Sequence, residues 1–255
     1  VIIASLLPGS LPVVLYGVLV ALFAGFVRGF AGFGLSAFIV AGMSLWLSPQ
    51  ITVPAAMMLE VLASISLLRS VWPHVSWHWI RPLIAGYAFS VPLGVWCLSI
   101  LPELPLRLAV STIILVLALT LLAGVRPQWG DGIGVRFGTG LVAGFMSGLS
   151  SIGGMIAALM LFTTSLPAAR LRATLITLFV LSSSYALIWA AQRGLVHRGT
   201  LLWAAWLMAP MLVGIMIGRH GFARVSESQF RRAMLGVLAA IAAMGMIRAL
   251  WMTFA

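Results

Sequence analysis

Glu60 is the one acidic residue that falls inside a long apolar run, at residues 51–68. A carboxylate at membrane depth is costly, and such groups are kept for proton relay or for pairing with a cation or a hydroxyl. Ser64 stands one helical turn further on and could serve as that hydroxyl, and an arginine could serve as the cation. Arg28 lies in another apolar stretch, among glycines, at residues 22–49. It would either offer a fixed positive charge to an anion or snorkel to the membrane surface. Glu60 is therefore the candidate for proton coupling and Arg28 a candidate for anion binding.

Two clusters of glycine and serine could complete an anion site. Residues 22–49, LFAGFVRGFAGFGLSAFIVAGMSLWLSP, are matched by 141–167, LVAGFMSGLSSIGGMIAALMLFTTSLP. Gly25, Gly29 and Gly34 pair with Gly144, Gly148 and Gly153 at an offset of 119, while Pro49 pairs with Pro167 and Pro92 with Pro210 at 118. Each copy is apolar yet interrupted halfway. A helix interrupted in hydrocarbon survives only where it is buried in protein or lines a watery cavity. The helix that restarts after such a break directs free N–H groups and the positive end of its dipole at the gap, which suits an anion. The expected substrate contacts are Arg28, Gly32, Phe33, Gly34 and Ser36 in the first copy. In the second they are Ser147, Ser150, Ser151, Gly153 and Gly154. Serine hydroxyls donate to oxyanions, and glycine lets a ligand approach the backbone. Gly25/Gly29 and Gly144/Gly148 have the spacing of close helix packing instead.

The elements that must position these groups are transmembrane helices. The 255-residue chain is 62% hydrophobic and 7% charged, against roughly 25% charged residues in soluble domains, and its apolar runs approach the roughly 20 residues that a membrane-spanning helix needs. The runs are continuous, without the alternation of a membrane barrel. Apolar runs are expected at 11–27, 35–47, 51–68, 82–100 and 106–124, then at 137–146, 155–166, 173–191, 200–218 and 230–252. The fold class is thus an all-α polytopic membrane protein built from an N-terminal repeat at 1–125, a connector at 126–136 and a C-terminal repeat at 137–255. The breaks are placed at 28–34 and 147–154, and each broken segment is followed by three transmembrane helices.

The net charge of +11 comes from fifteen arginines, no lysine and four acids. The arginines sit mostly between apolar runs, as topology signals do, and not in polar sequence interleaved with aromatics, so no nucleic-acid partner is expected. If each broken segment doubles back or crosses twice, Arg69, Arg81, Arg126, Arg136, Arg170, Arg172, Arg219, Arg224, Arg231 and Arg232 share one side. Only Arg107, Arg193 and Arg198 take the other, with Arg248 inside the last helix. The positive-inside rule then makes the two repeats inverted, the arginine-rich loops cytoplasmic and both termini external. The expected location is the bacterial inner membrane. Trp72, Trp77 and Trp79 mark an interface in the polar connection at 69–81. His74 and His78, without a nearby acid or cysteine, do not make a metal site, and no cofactor is expected. Cys97 is a small packing residue, and no separate cleavable signal is seen. A homodimer is compatible with the sequence, which leaves the oligomeric state open.

On the residues AGFVRGFAGFGLSAFI (24–39) and AGFMSGLSSIGGMIAAL (143–159), the whole-chain repeat and the Pro92–Gly94 motif echoed around Pro210, the sequence resembles the TauE/SafE family of sulfite exporters, also called the toluene sulfonate uptake permease family. That resemblance implies transport of small sulfur-containing anions, such as sulfite or organosulfonates, across a lipid bilayer without a cofactor. Gly34 is followed by Leu35, so only Gly153 and Gly154 form a glycine pair, and the proline common a few residues after the glycines in the family is absent from both copies.

Three functions fit a glycine-broken membrane chain. The first is a secondary transporter, an exporter by its resemblance, working by alternating access with the anion held near the midplane at the paired half-helix N-termini. The second is a passive anion channel on the same scaffold. The third is an intramembrane serine hydrolase using Ser147. All four histidines lie in connections, which leaves such a serine without a nearby base. A carrier of this kind is not an enzyme.

Overall fold

The structure is a computed structural model that describes residues 9–124, 132–162, 164, 166–221 and 227–254. The described residues form ten α-helices. In the first half these are α1 (Leu11–Ala31), α2 (Leu35–Met43), α3 (Pro49–Val71), α4 (Trp77–Ile100) and α5 (Glu103–Leu122). In the second half they are α6 (Ile133–Ser150), α7 (Gly153–Leu161), α8 (Ala168–Gln192), α9 (Arg198–Gly221) and α10 (Glu227–Phe254). One 3₁₀ turn, Trp72–His74, joins α3 to α4. Helices α1, α4, α5, α8, α9 and α10 are long and apolar enough to cross a bilayer, whereas in α3 the apolar stretch is the shorter Pro49–Ile65. The chain is a multi-pass membrane protein.

Several boundaries differ from the sequence expectation. Helix α1 continues through Arg28 to Ala31, and α6 continues through Ser147 to Ser150. The first break is therefore only Gly32–Gly34, and the second only Ser151 and Ile152. Arg28 and Ser147 occupy helical turns, because a helix in an apolar setting keeps its backbone bonds until a residue favours the left-handed region. Gly32 (φ 80°), Gly34 (φ 93°) and Ser151 (φ 58°) supply those conformations. The polar connection placed at 69–81 is shorter, since α3 runs to Val71 and α4 starts at Trp77. Part of the expected connector at 126–136 lies outside the described residues, and from Ile133 it is already α6. Arg126 and Arg224 also lie outside the described residues.

The two short helices fold back. Along α1 and α2, Gly34 faces Val27, the rings of Phe38 and Phe23 meet at 5.3 Å, and the Tyr16 hydroxyl donates to the Gly42 carbonyl at 3.2 Å. Residue numbers thus rise on one helix as they fall on the other, so α2 retraces α1. In the second half the start of α7 lies against α6, with Gly153 over the Ala143 carbonyl and the Ser147 side chain. Each short helix has nine residues. At 1.5 Å per residue each covers about 14 Å, half of a hydrocarbon core of about 30 Å.

Glycines bring long helices from the two halves into backbone contact. A Cβ at Gly25 would fall 2.1 Å from the Met211 carbonyl oxygen, and one at Gly214 2.1 Å from that of Leu22. Gly94 and Gly148 do the same for α4 and α6, at 2.2 Å from Phe145 O and 2.4 Å from Val91 O. In lipid, where apolar area gives little reason for helices to associate, such close approach is what holds them. The registers show that α1 runs parallel to α9, and α4 parallel to α6. The Gln50 amide donates to the Leu101 carbonyl, and Ser44 bonds Thr52, so α3 starts where α4 ends. Together these contacts set α1 antiparallel to α6.

The arginines sort by end. Arg69, Arg81, Arg136, Arg170, Arg172 and Arg219 gather at the end where α3 stops and α4 starts, which holds the starts of α6 and α8. Two bonds fix that end: Arg136 Nη1 donates to His78 O at 3.2 Å, and the Ser76 amide donates to the Thr174 hydroxyl at 3.1 Å. Arg107, Arg193 and Arg198 lie at the opposite end. There Arg107, paired with Glu103, donates to the Ser44 carbonyl at the C-terminus of α2, where a cation is favoured. Arg248 of α10 lies over the Trp46 ring, 4.5 Å from its centroid.

Candidate functional site

The two breaks meet in one small cavity. It is lined by Gly34 of the first break and Ser36 of α2, by Ser147, Ser151, Ile152, Gly154 and Met155 around the second break, by Glu60 of α3, and by Phe179, Ser182 and Ser183 of α8. The space is small, with room for about one water. Five serines and one carboxylate make its polar lining, and no histidine is among the residues around it.

Two helix N-termini open onto this space. In α2 the first backbone bond inside the helix is from Phe38 N–H to Gly34 O, at 3.1 Å, and no side chain caps the preceding amides. In α7 the corresponding bond runs from Met155 N–H to Ile152 O, at 2.9 Å, again without a side-chain cap. The amides at each start thus have no acceptor within their own helix, and the aligned peptide dipoles add partial positive charge from both sides.

Behind the cavity wall sits an ion pair. Arg28 Nη2 is 3.0 Å from Glu60 Oε1, and both side chains are 3% exposed. The same Nη2 donates to Ser64 Oγ at 2.5 Å, and Nη1 donates to the Gly32 carbonyl at 2.7 Å. Ser64 Oγ in turn donates to Glu60 Oε1 at 3.4 Å, and the guanidinium lies over the Phe179 ring at 4.7 Å from its centroid. The carboxylate faces the cavity and the guanidinium stands behind it. Removing either partner would leave a buried charge unpaired, which costs far more than the pair contributes.

The residues expected from the sequence divide accordingly. Gly34, Ser36, Ser147, Ser151, Gly154 and Glu60 come together around the polar cavity. Arg28 and Gly32 lie beside it, joined to each other. Phe33 points elsewhere, edge-on to Phe162 at 5.7 Å. Ser150 is fully buried and donates to the Met146 carbonyl at 2.8 Å, the back-bond of a serine inside a helix. Gly153 is taken up by packing, since a Cβ there would meet the Ala143 carbonyl oxygen at 1.8 Å. Gly154 is packed as well, against the Phe179 ring. Phe179, Ser182 and Ser183 were not anticipated. Their signal was the triple serine at 182–184 within the apolar stretch 178–191, and Ser182 is Ser64 displaced by the same offset of 118 that relates Pro92 to Pro210.

The family model for the sulfite exporter TauE/SafE matches residues 17–245, nearly the whole length and both breaks. The chain belongs to the TauE/SafE sulfite exporter family. It is a membrane transporter and not an enzyme. One relative is the probable sulfite/organosulfonate exporter TauE of Cupriavidus necator, 27% identical over 227 residues that cover 86% of this chain and 88% of the relative. No solved structure matches the chain. In this TauE/SafE protein the matched region takes in every residue that lines the polar cavity.

Proposed function

We propose that this TauE/SafE protein is a secondary transporter, working as an exporter, that moves a small sulfur oxyanion by alternating access. The anion sits in the polar cavity between the starts of α2 and α7. One observation carries this reading: two chain breaks half a sequence apart line the same cavity, with serine hydroxyls around both helix starts. Backbone amides and hydroxyls bind an oxyanion by donating to it, without a fixed full charge in direct contact.

Helix directions support an arrangement of the halves 1–125 and 137–255 as inverted repeats, with α2 and α7 as re-entrant segments from opposite faces of the bilayer. The arginine-rich end lies in the cytoplasm by the positive-inside rule, and the protein resides in a bacterial inner membrane. The cavity's size favours a carrier over an open channel: a space for about one water must enlarge to admit an oxyanion, and nothing in it amounts to a continuous pore.

Glu60 gives the carrier its coupling. While ionised, it faces the cavity and repels an anion, and it holds Arg28 behind the wall. Protonation removes that repulsion and frees the guanidinium to attract the substrate. Proton and anion therefore bind and move together, so export runs down the anion's own outward gradient, while an inward proton gradient favours uptake.

Purified protein in proteoliposomes, assayed for flux of sulfite, methanesulfonate and sulfate, tests the function. Saturable flux of a sulfur oxyanion is expected, and no saturable flux of any of the three would overturn it.

A further inference from the structure

A second cavity adjoins the polar one. Gly34 and Met155 line both. Beyond them the second cavity is walled by Phe33 of the first break, Phe38 of α2, and Met234 and Leu238 of α10. Every residue around it is apolar or glycine. Phe33, which the sequence suggested as an anion contact, belongs to this cavity instead.

The partition between the two spaces is thin. Gly34 has no side chain, and Met155 is unbranched and can change rotamer without strain. A substituent on the sulfur of an oxyanion held in the polar cavity would therefore reach the apolar one through the Gly34–Met155 wall. Hydrocarbon gains by leaving water for such a space. A second charge, an amine or a carboxylate, would find no partner there and would be penalised.

We propose that the apolar cavity is a second subsite that takes a short hydrocarbon group attached to the sulfur, and that α10 sets its length. The cavity, of about 20 Å³, has room for a group of one or two carbons, so the preferred substrate is a short alkanesulfonate, ahead of sulfite, sulfate or a sulfonate with a second charge. This rests on the polar cavity holding the oxyanion.

The test is a chain-length series, from methane- to butanesulfonate, competing for methanesulfonate flux in proteoliposomes of the full chain. Apparent affinity is expected to rise roughly fourfold per methylene over the first one or two carbons and then level off, and 2-aminoethanesulfonate to compete more weakly than propanesulfonate. Ala31→Phe, which adds a ring to the same cavity, should flatten the ratio of butane- to methanesulfonate affinity. Met234→Ala should carry the rise to longer chains, and it gives a second reading if the first variant fails to insert. A flat series in the parent protein, as when a lipid chain already holds the cavity, overturns the subsite while leaving the oxyanion site standing. No competition by any sulfonate or by sulfite overturns both.

Discussion

Arg28 Nη2 and Glu60 Oε1 lie 3.0 Å apart, both shut off from solvent, and join α1 to α3 beside the cavity. Their charges cancel only as a pair. Arg28→Met alone should destabilise the protein by about 3–5 kcal/mol, and Glu60→Leu alone by a similar amount. The double variant should recover most of that loss, because two apolar side chains leave no buried charge. Chemical unfolding in detergent of the parent, both singles and the double, treated as a double-mutant cycle, measures the coupling.

Transport should depend on pH through Glu60. With a sulfonate, which stays ionised throughout the working range, any pH dependence belongs to the protein. An inward proton gradient should drive uptake into proteoliposomes of the parent. Glu60→Gln keeps the shape and is uncharged at every pH, so it should exchange substrate across the membrane while ignoring the gradient. Continued gradient-driven uptake by that variant would remove Glu60 from the coupling.

Neighbouring serines should behave differently. Ser151 lines the polar cavity, whereas the Ser150 hydroxyl is committed to the Met146 carbonyl. Ser151→Ala should weaken sulfonate binding up to about tenfold, the worth of one hydrogen bond of roughly 0.5–1.5 kcal/mol. Ser150→Ala should leave affinity within about twofold. Competition of unlabelled sulfonate against tracer flux gives both values.

Much of this was legible in the sequence because it rests on backbone chemistry that few residues can satisfy. A left-handed turn at membrane depth needs residues such as Gly32 and Gly34, so the breaks announce themselves by composition. The partners of those breaks are less visible. Glu60 and Ser64 stand one turn apart and suggest a pairing, but Arg28 is 32 residues before Glu60, and only the fold shows that it is the cation. Inner and outer glycines look alike in sequence, yet Gly153 turns out to be as tightly packed as Gly25, because whether space beside a glycine holds ligand or backbone depends on the neighbouring helix. Helix ends were misplaced where polar residues stood in for breaks: Arg28 and Ser147 are polar but helical, their side chains satisfied or directed into a cavity.

Glycine substitutions should separate packing from space. Gly25→Val would drive its side chain into the Met211 carbonyl of α9, a backbone atom that cannot yield without parting the helices. It should cost at least the 1–3 kcal/mol typical of overpacking. At Gly138, on the same α6 as Gly144 and Gly148, no atom lies within 4 Å of a Cβ. Gly138→Ala should be neutral or slightly stabilising, since alanine is the better helix former. Thermal denaturation of the purified proteins ranks the two.

If an oxyanion binds where the two breaks meet, a heavy-atom oxyanion will be found there. Selenite has the shape and charge of sulfite, and its selenium can be placed by anomalous scattering in crystals of the transporter. A selenium peak is expected between the starts of α2 and α7, within hydrogen-bonding reach of Ser36, Ser147 or Ser151. A peak found only elsewhere, such as among the arginines at the basic end, would contradict it.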